Sequence, residues 1–453
     1  MTEVAATLPR PRPLPSFNRH AVKLLILGVA WIFLGMLLAT ISGLISERHG
    51  YRDQAESSIA AGWGGAQVVG APLLRFSFAP QIDAKGFERR IEDRWVLADV
   101  ASIDTELASQ TRKLGIFEIP VYESQMALQA QFSAERIEQM LAQVPGQTVE
   151  RVALALPVGD PRGLRAAVSV KVGNEQLRLV PSGAYVGGHP VLSADLNDPL
   201  SWQSGLQVDQ QIALAGVGSL RWLPTASDLS VELHGDWPDP GFADGLLPRN
   251  REVGDQGFSA DWRVLDFNAG VPPVMNPEQL NQLSAHRVGF GVTLQQPGEV
   301  YQRNERAWKY GFLFVALSLG AYFLLELLLS RELWALDYGL IGVSQVVFYL
   351  LLLALSEHLG FDWAYTISAL VFAVMVGAFS VGLLGSRGRG MVAGTLLAVA
   401  YAMLYLLIGS ESYALLLGAL LATALVALAM ALVSRARGVV KAQGPGMSAQ
   451  ESA

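Results

Sequence analysis

Glu357 is followed at once by His358, Asp362 lies four residues on, and Glu411 occupies a later polar break. Carboxylates beside an imidazole can hold a cation, relay a proton or bind a complementary surface. One histidine among acids is a thin ligand set, and the bland alternative is that these residues cap helix ends and solvate tight loops. Contact with a folded domain nearby is the preferred reading for Glu357, His358, Asp362, Glu411 and the adjacent Tyr413. Glu326 is a second kind of candidate, because it lies inside an apolar run where an unpaired carboxylate costs a few kcal/mol. It stands about one turn from the end of that run, near Arg331 and Glu332, which favours snorkelling or pairing over a catalytic role.

No catalytic, cofactor-binding or metal-binding residue is nominated. There is no G-x-S-x-G, H-E-x-x-H or Walker sequence, and the six histidines are scattered. Absence of cysteine removes disulfides, thiolate metal sites and thiol nucleophiles. Transport would normally show several polar groups at mid-membrane depth or helices broken by Gly and Pro, and neither is apparent. Gly339, Gly342, Gly377, Gly382, Gly394 and Gly418 read as close-packing points between helices. Trp63, Trp202, Trp222, Trp237 and Trp262 read as core or turn packing.

The elements that position these residues follow from composition. The chain has 453 residues, 51% hydrophobic and 16% charged, and the average conceals two regions. Val22–Ile45 is an apolar run with only Lys23 near its start, long enough to cross roughly 30 Å of hydrocarbon and too long for a signal peptide. Five more spans are expected at 307–329, 338–355, 364–384, 391–408 and 413–433. Arg10, Arg12, Arg19 and Lys23 precede the first span, and Arg331, Arg387, Arg389, Arg435, Arg437 and Lys441 fall in every second connection after it. The positive-inside rule then puts residues 1–21 and 434–453 in the cytoplasm and residues 46–306 outside. The net charge of −7 resides in that outer segment, so nucleic acid is not an expected partner.

The outer segment is long enough to bury its own core. Alternation over Arg151–Leu156, Arg165–Val172, Leu206–Leu214, Asp228–Leu233 and His286–Leu294 predicts half-buried strands. Turn sequences such as Asp160-Pro161-Arg162-Gly163 punctuate them, which gives a mainly β domain. Ser133 caps an expected helix over Ala134–Gln143, and Asn276-Pro277 opens a short one through Leu283. Glu47–Ala61 is expected to prolong the first membrane helix as a stalk, stopped by Gly62-Trp63-Gly64-Gly65. At the other junction Tyr301, Arg306, Lys309 and Tyr310 lead into the second span. The fold class is therefore a six-helix membrane region, one helix plus five, with a large β domain inserted after the first.

Several blocks of this sequence resemble the CreD family of bacterial inner-membrane proteins, and the similarity covers most of the chain. They include Trp63-Gly64-Gly65, Gly115-Ile116-Phe117-Glu118-Ile119-Pro120-Val121-Tyr122, Asp236-Trp237-Pro238 with Phe242 and Leu247-Pro248, and Gly257-Phe258-Ser259-Ala260-Asp261-Trp262. More specific are Tyr301-Gln302 with Arg306-Ala307-Trp308-Lys309-Tyr310, Phe348-Tyr349 through Ser356-Glu357-His358 with Ala364-Tyr365, and Glu411-Ser412-Tyr413-Ala414-Leu415. Ser412 stands where members typically carry Asp, and the Thr-Arg-x-x-Asp-Trp tail is reduced to Ser434-Arg435, so neither lost acid is expected to be essential. The resemblance implies a role in cell-envelope integrity, commonly as the output of an envelope-responsive two-component system, and supplies no catalytic residues. The leading expectation is a non-enzymatic protein without cofactors, whose periplasmic domain binds or organises an envelope component. Expected partners are membrane lipid and an envelope protein or peptidoglycan precursor. The alternatives are a lipid or small-molecule transporter and, third, a periplasmic hydrolase.

Overall fold

A computed structural model describes residues 19–409 except 83–86, 198–201, 243–244, 284–288, 295–299 and 330–331, together with single positions between 416 and 430. The chain divides into two units, Met1–Gly50 with Gly298–Ala453, and Tyr51–Pro297.

Helix α1 (Arg19–Trp63) begins as the expected apolar run and continues without a break through the polar stretch that follows. It stops where Gly64 takes a φ of +107°, a conformation that only glycine adopts freely. The next elements are β1 (Gln67–Gly70), β2 (Leu73–Phe78), the two-residue strands β3 (Gln81–Ile82) and β4 (Glu88–Arg89), β5 (Arg94–Leu114) and β6 (Phe117–Phe132). α2 (Ala134–Ala142) starts on the Ser133 hydroxyl, which accepts from the Arg136 amide.

Then come β7 (Val149–Pro157), β8 (Ser169–Val172), β9 (Glu175–Arg178), β10 (Val180–Val186), β11 (His189–Asp195), β12 (Leu206–Val217), β13 (Ser219–Leu223) and β14 (Ala226–Gly235). β15 (Pro240–Gly241), β16 (Asn250–Gly254), β17 (Gly257–Leu265), α3 (Asp266–Ala269), β18 (Val274–Met275), α4 (Pro277–Asn281) and β19 (Phe290–Leu294) complete the domain. A capping box at Asn276 and Gln279 opens α4.

Most strands join a 13-stranded sheet whose spine is the β5–β6 hairpin turning at Gly115. From Tyr122 to Phe132 along β6 buried and exposed residues alternate, so one face there is core and the other is wet. β14 lies parallel to β5 with Val231 opposite Ile103, and β12 is antiparallel to β6. β1, β13, β19 and β15 form a smaller sheet. Trp222, Trp262, Phe290, Phe242 and Phe258 stack in its core with ring centroids 5.8–6.0 Å apart. Trp202, Trp222 and Trp262 are core residues and Trp237 packs at its edge.

After the domain come α5 (Val300–Leu329), α6 (Ala335–Leu359), α7 (Phe361–Leu384) and α8 (Arg387–Gly409). With α1 these make five helices among the described residues that are long and apolar enough to cross a membrane. The expected sixth span, 413–433, lies outside the residues described apart from single helical positions. Three of the glycines read as packing points do bring helices together. A Cβ on Gly342 would meet Leu34 of α1 at 2.1 Å, and one on Gly377 of α7 would sit 3.3 Å from the Gly394 Cα of α8. Gly339 and Gly382 face open space, so their role is not packing within the described residues, and Gly418 lies outside them.

Candidate functional site

Within the membrane unit, Glu357, Asp362 and Glu326 are held by cations from its own helices. Glu357, in the last turn of α6, accepts the Tyr301 hydroxyl at 3.3 Å and pairs with the Arg48 guanidinium of α1 at 3.4 Å. One residue earlier, Ser356 accepts the Asn304 amide at 2.9 Å, so α5 and α6 are joined by two successive polar contacts. Asp362, in the first turn of α7, takes Arg303 at 3.0 Å and the Tyr405 hydroxyl of α8 at 2.8 Å. Arg303 also covers the Phe361 ring at 5.6 Å. These contacts tie five helices, α1 and α5 to α8, at one end of the unit.

His358 is exposed and joins neither network among the described residues. Lys309 pairs with Glu305 one turn away at 2.8 Å, Arg306 and Tyr310 are half-buried on the same helix, and Glu411 and Tyr413 lie outside the described residues. A cleft of about 200 Å³ lies beside Ser46, His49, Tyr301 and Glu305.

At the opposite end of α5, Glu326 is buried and ion-paired to Lys23 of α1, while the Tyr338 hydroxyl of α6 donates to its other oxygen at 2.7 Å. The sequence directs attention to Arg331, which lies outside the described residues, whereas the partner found is 303 residues away in the chain. A carboxylate that receives both a cation and a hydroxyl is neutralised in place, which explains how the apolar run tolerates it.

The β domain contributes a groove of about 830 Å³ lined by Glu106, Glu123, His234, Asp236, Glu252 and Asp255. Register places His234 opposite Glu106 in the groove, and two residues back on the same wet face Glu232 sits opposite both Asp104 and Asp261. Like charges directly opposite on neighbouring strands are unfavourable, so a surface built this way carries a standing demand for positive charge. Asp104, Glu232 and His234 bring one ligand atom each to within 4.8 Å of one another, all three exposed, and are the residues best placed to share a divalent cation.

A second constellation in the domain is structural. Gln67 donates to the Ala215 carbonyl at 2.8 Å and accepts the Asp160 amide at 3.0 Å, while the Gly65 amide donates to Asp160 at 2.8 Å. The Arg162 guanidinium holds the Asp160 carboxyl below the usual carboxylate range, against the opposing effect of burial. Gly163 passes so close that a Cβ there would lie 2.2 Å from the Ala215 oxygen. Trp63 is clasped by Arg112 and Arg165 at 4.4 and 4.2 Å and donates to the Tyr122 carbonyl. Burial pushes the Tyr122 hydroxyl well above its ordinary range, and it donates to Ser219 at 2.7 Å. The Trp63-Gly64-Gly65 and Gly115–Tyr122 blocks thus serve packing where α1 enters the domain.

Sequence reasoning missed one set of residues altogether: Gln345, Tyr349, Ser368 and Tyr401, polar side chains buried in α6, α7 and α8. Being uncharged, they leave hydropathy high, and apart from Tyr349, which falls in a block resembling the CreD family, no sequence signal sets them apart from ordinary helix residues.

The sequence profile described as "Inner membrane protein CreD" matches residues 19–437 of the chain. The "Inner membrane protein CreD" of Escherichia coli (strain K12) is 30% identical over 387 residues, which cover 83% of this chain and 84% of that relative.

Proposed function

Because the chain belongs to the CreD family of inner-membrane proteins, we propose that it is a non-enzymatic support of cell-envelope integrity whose β domain binds an amine-bearing envelope component in the periplasm. The observation that carries this reading is the carboxylate-lined groove: an open surface with unbalanced negative charge suits a ligand that brings ammonium groups. A peptidoglycan precursor or the basic surface of an envelope protein has that chemistry. The cationic connections of the membrane unit support the orientation, with both termini cytoplasmic and residues 46–306 periplasmic. Membrane lipid remains the partner of the helices.

The test uses the full chain in lipid nanodiscs and a lysine-bearing muropeptide, titrated by calorimetry alongside its Nε-acetylated form. Acetylation of the ligand, or Glu106→Gln with Glu252→Gln in the protein, weakens binding by about tenfold or more, since each removes charge pairing and the Gln substitutions do so without changing shape. Equal binding of the acetylated form, or no binding of either, overturns the assignment. A second reading, transport of a lipid or small molecule, draws support from the buried polar side chains of the helices.

A further inference from the structure

We propose that α5, α6, α7 and α8 enclose an intramembrane site for an uncharged hydrogen-bonding ligand, either water or the hydroxyl of a lipid. Four side chains define it. Gln345 and Ser368 are fully buried, and Tyr349 and Tyr401 are 2% and 1% exposed. Both amide atoms of Gln345 and the hydroxyls of Tyr349, Ser368 and Tyr401 have no hydrogen-bond partner among the described residues.

They belong to one neighbourhood. Gln345 is one helical turn before Phe348 and Tyr349 on α6, and Ser368 lies one turn from Tyr365 and from Phe372 on α7. The Phe348 ring meets Tyr401 at 4.5 Å, Tyr349 at 4.9 Å and Tyr365 at 5.6 Å, and Phe372 meets Tyr401 at 4.8 Å. Gln345 and Tyr349 each stand ten residues from an end of α6, so the group lies near the middle of a membrane-length helix.

The same helices satisfy other polar groups directly. Tyr365 donates to the Tyr401 carbonyl at 2.7 Å, and Ser380 of α7 shares a 2.6 Å bond with Tyr322 of α5. Orphaned groups in this setting therefore mark a place where the described residues do not supply the partner. Hydrocarbon supplies none either, and buried polar atoms without one are strongly disfavoured. The four side chains offer donors and acceptors but no charge, and the nearest acid on α5 in sequence, Glu326, is already paired with Lys23. An ion would be buried without a counter-charge, so the ligand is neutral. The site shares no residue with the groove, and either assignment can fail without the other.

Tyr349→Phe combined with Tyr401→Phe removes only two hydroxyls and keeps the ring packing. If the hydroxyls are bare, their removal leaves the thermal midpoint in nanodiscs unchanged or raises it, because two orphaned groups disappear. If they hold a ligand, the midpoint falls. Radiolytic footprinting of the unsubstituted protein gives an independent reading, since a bound water oxidises the rings beside it. Labelling of Tyr349 and Tyr401 identifies water; a lipid adduct in native mass spectrometry that the double variant loses identifies a lipid hydroxyl. An unchanged or raised midpoint, or the absence of both label and adduct, overturns the proposal.

Discussion

The contact between Lys23 and Glu326 joins the first membrane helix to the second and allows a quantitative forecast. Glu326 is 7% exposed and Lys23 28%, so the pair is largely removed from solvent. Lys23→Met strands a buried carboxylate, leaving only the Tyr338 hydroxyl to stabilise it. Breaking a buried pair from one side costs about 3–5 kcal/mol, which agrees with roughly 4 kcal/mol for two unit charges in contact at an effective dielectric near 20. Glu326→Gln strands the ammonium less severely, because Lys23 can snorkel toward the interface, and the loss should be about half as large. The double variant has no charge to strand and should regain about 2 kcal/mol or more relative to Lys23→Met. Reversible unfolding in mixed detergent micelles measures all four proteins on one scale. A Lys23→Met variant as stable as the parent, or a double variant whose losses simply add, would refute the reasoning.

In the β domain, Arg263 bonds Asp228 at 2.7–3.0 Å across β14 and β17 and holds its carboxyl below the usual range. A depressed carboxylate stabilises the fold above its unfolded pKa of about 3.9 and loses that contribution as pH falls through the folded value. The pair is largely solvent-exposed, so Asp228→Asn should cost under about 1 kcal/mol at pH 7. The difference from the parent should shrink as pH falls below about 3.9 and disappear once the folded carboxyl is protonated, which acid titration of the unfolding midpoint checks. Gly163→Ala drives a methyl into the Ala215 carbonyl and the Gln67 amide, 2.2 and 2.4 Å away. It should destabilise the domain by about 3 kcal/mol, seen in denaturant melts, and a neutral result would mean the Asp160 turn moves freely.

The legible part of the fold is the part that local physics controls. Hydrocarbon demands helices of membrane length, and α1, α5, α6, α7 and α8 appear where the apolar runs fall. Ser133 and Asn276 start helices because their side chains replace missing backbone partners, and α1 runs on to Trp63 because nothing before Gly64 stops it. The longest hairpin, β5–β6, escaped notice although it alternates, because its buried face includes Ala98, Ala101 and Thr105, too small or polar to signal a core. Pairing of β14 with β5 joins residues more than 100 positions apart, and Lys23 with Glu326 joins residues 303 positions apart. At the candidate sites, acids are visible in sequence while their partners are not. Gln345, Tyr349, Ser368 and Tyr401 become notable only once burial leaves them without partners.

The ligand proposed for the groove requires the β domain to lie on the outer side of the bilayer. Because the chain has no cysteine, single variants report sidedness cleanly. With a membrane-impermeant maleimide on intact spheroplasts, Asp255→Cys in the groove should label at once and Lys441→Cys in the tail only after lysis. Labelling of the tail first, with the groove protected until the membrane is broken, would contradict the account.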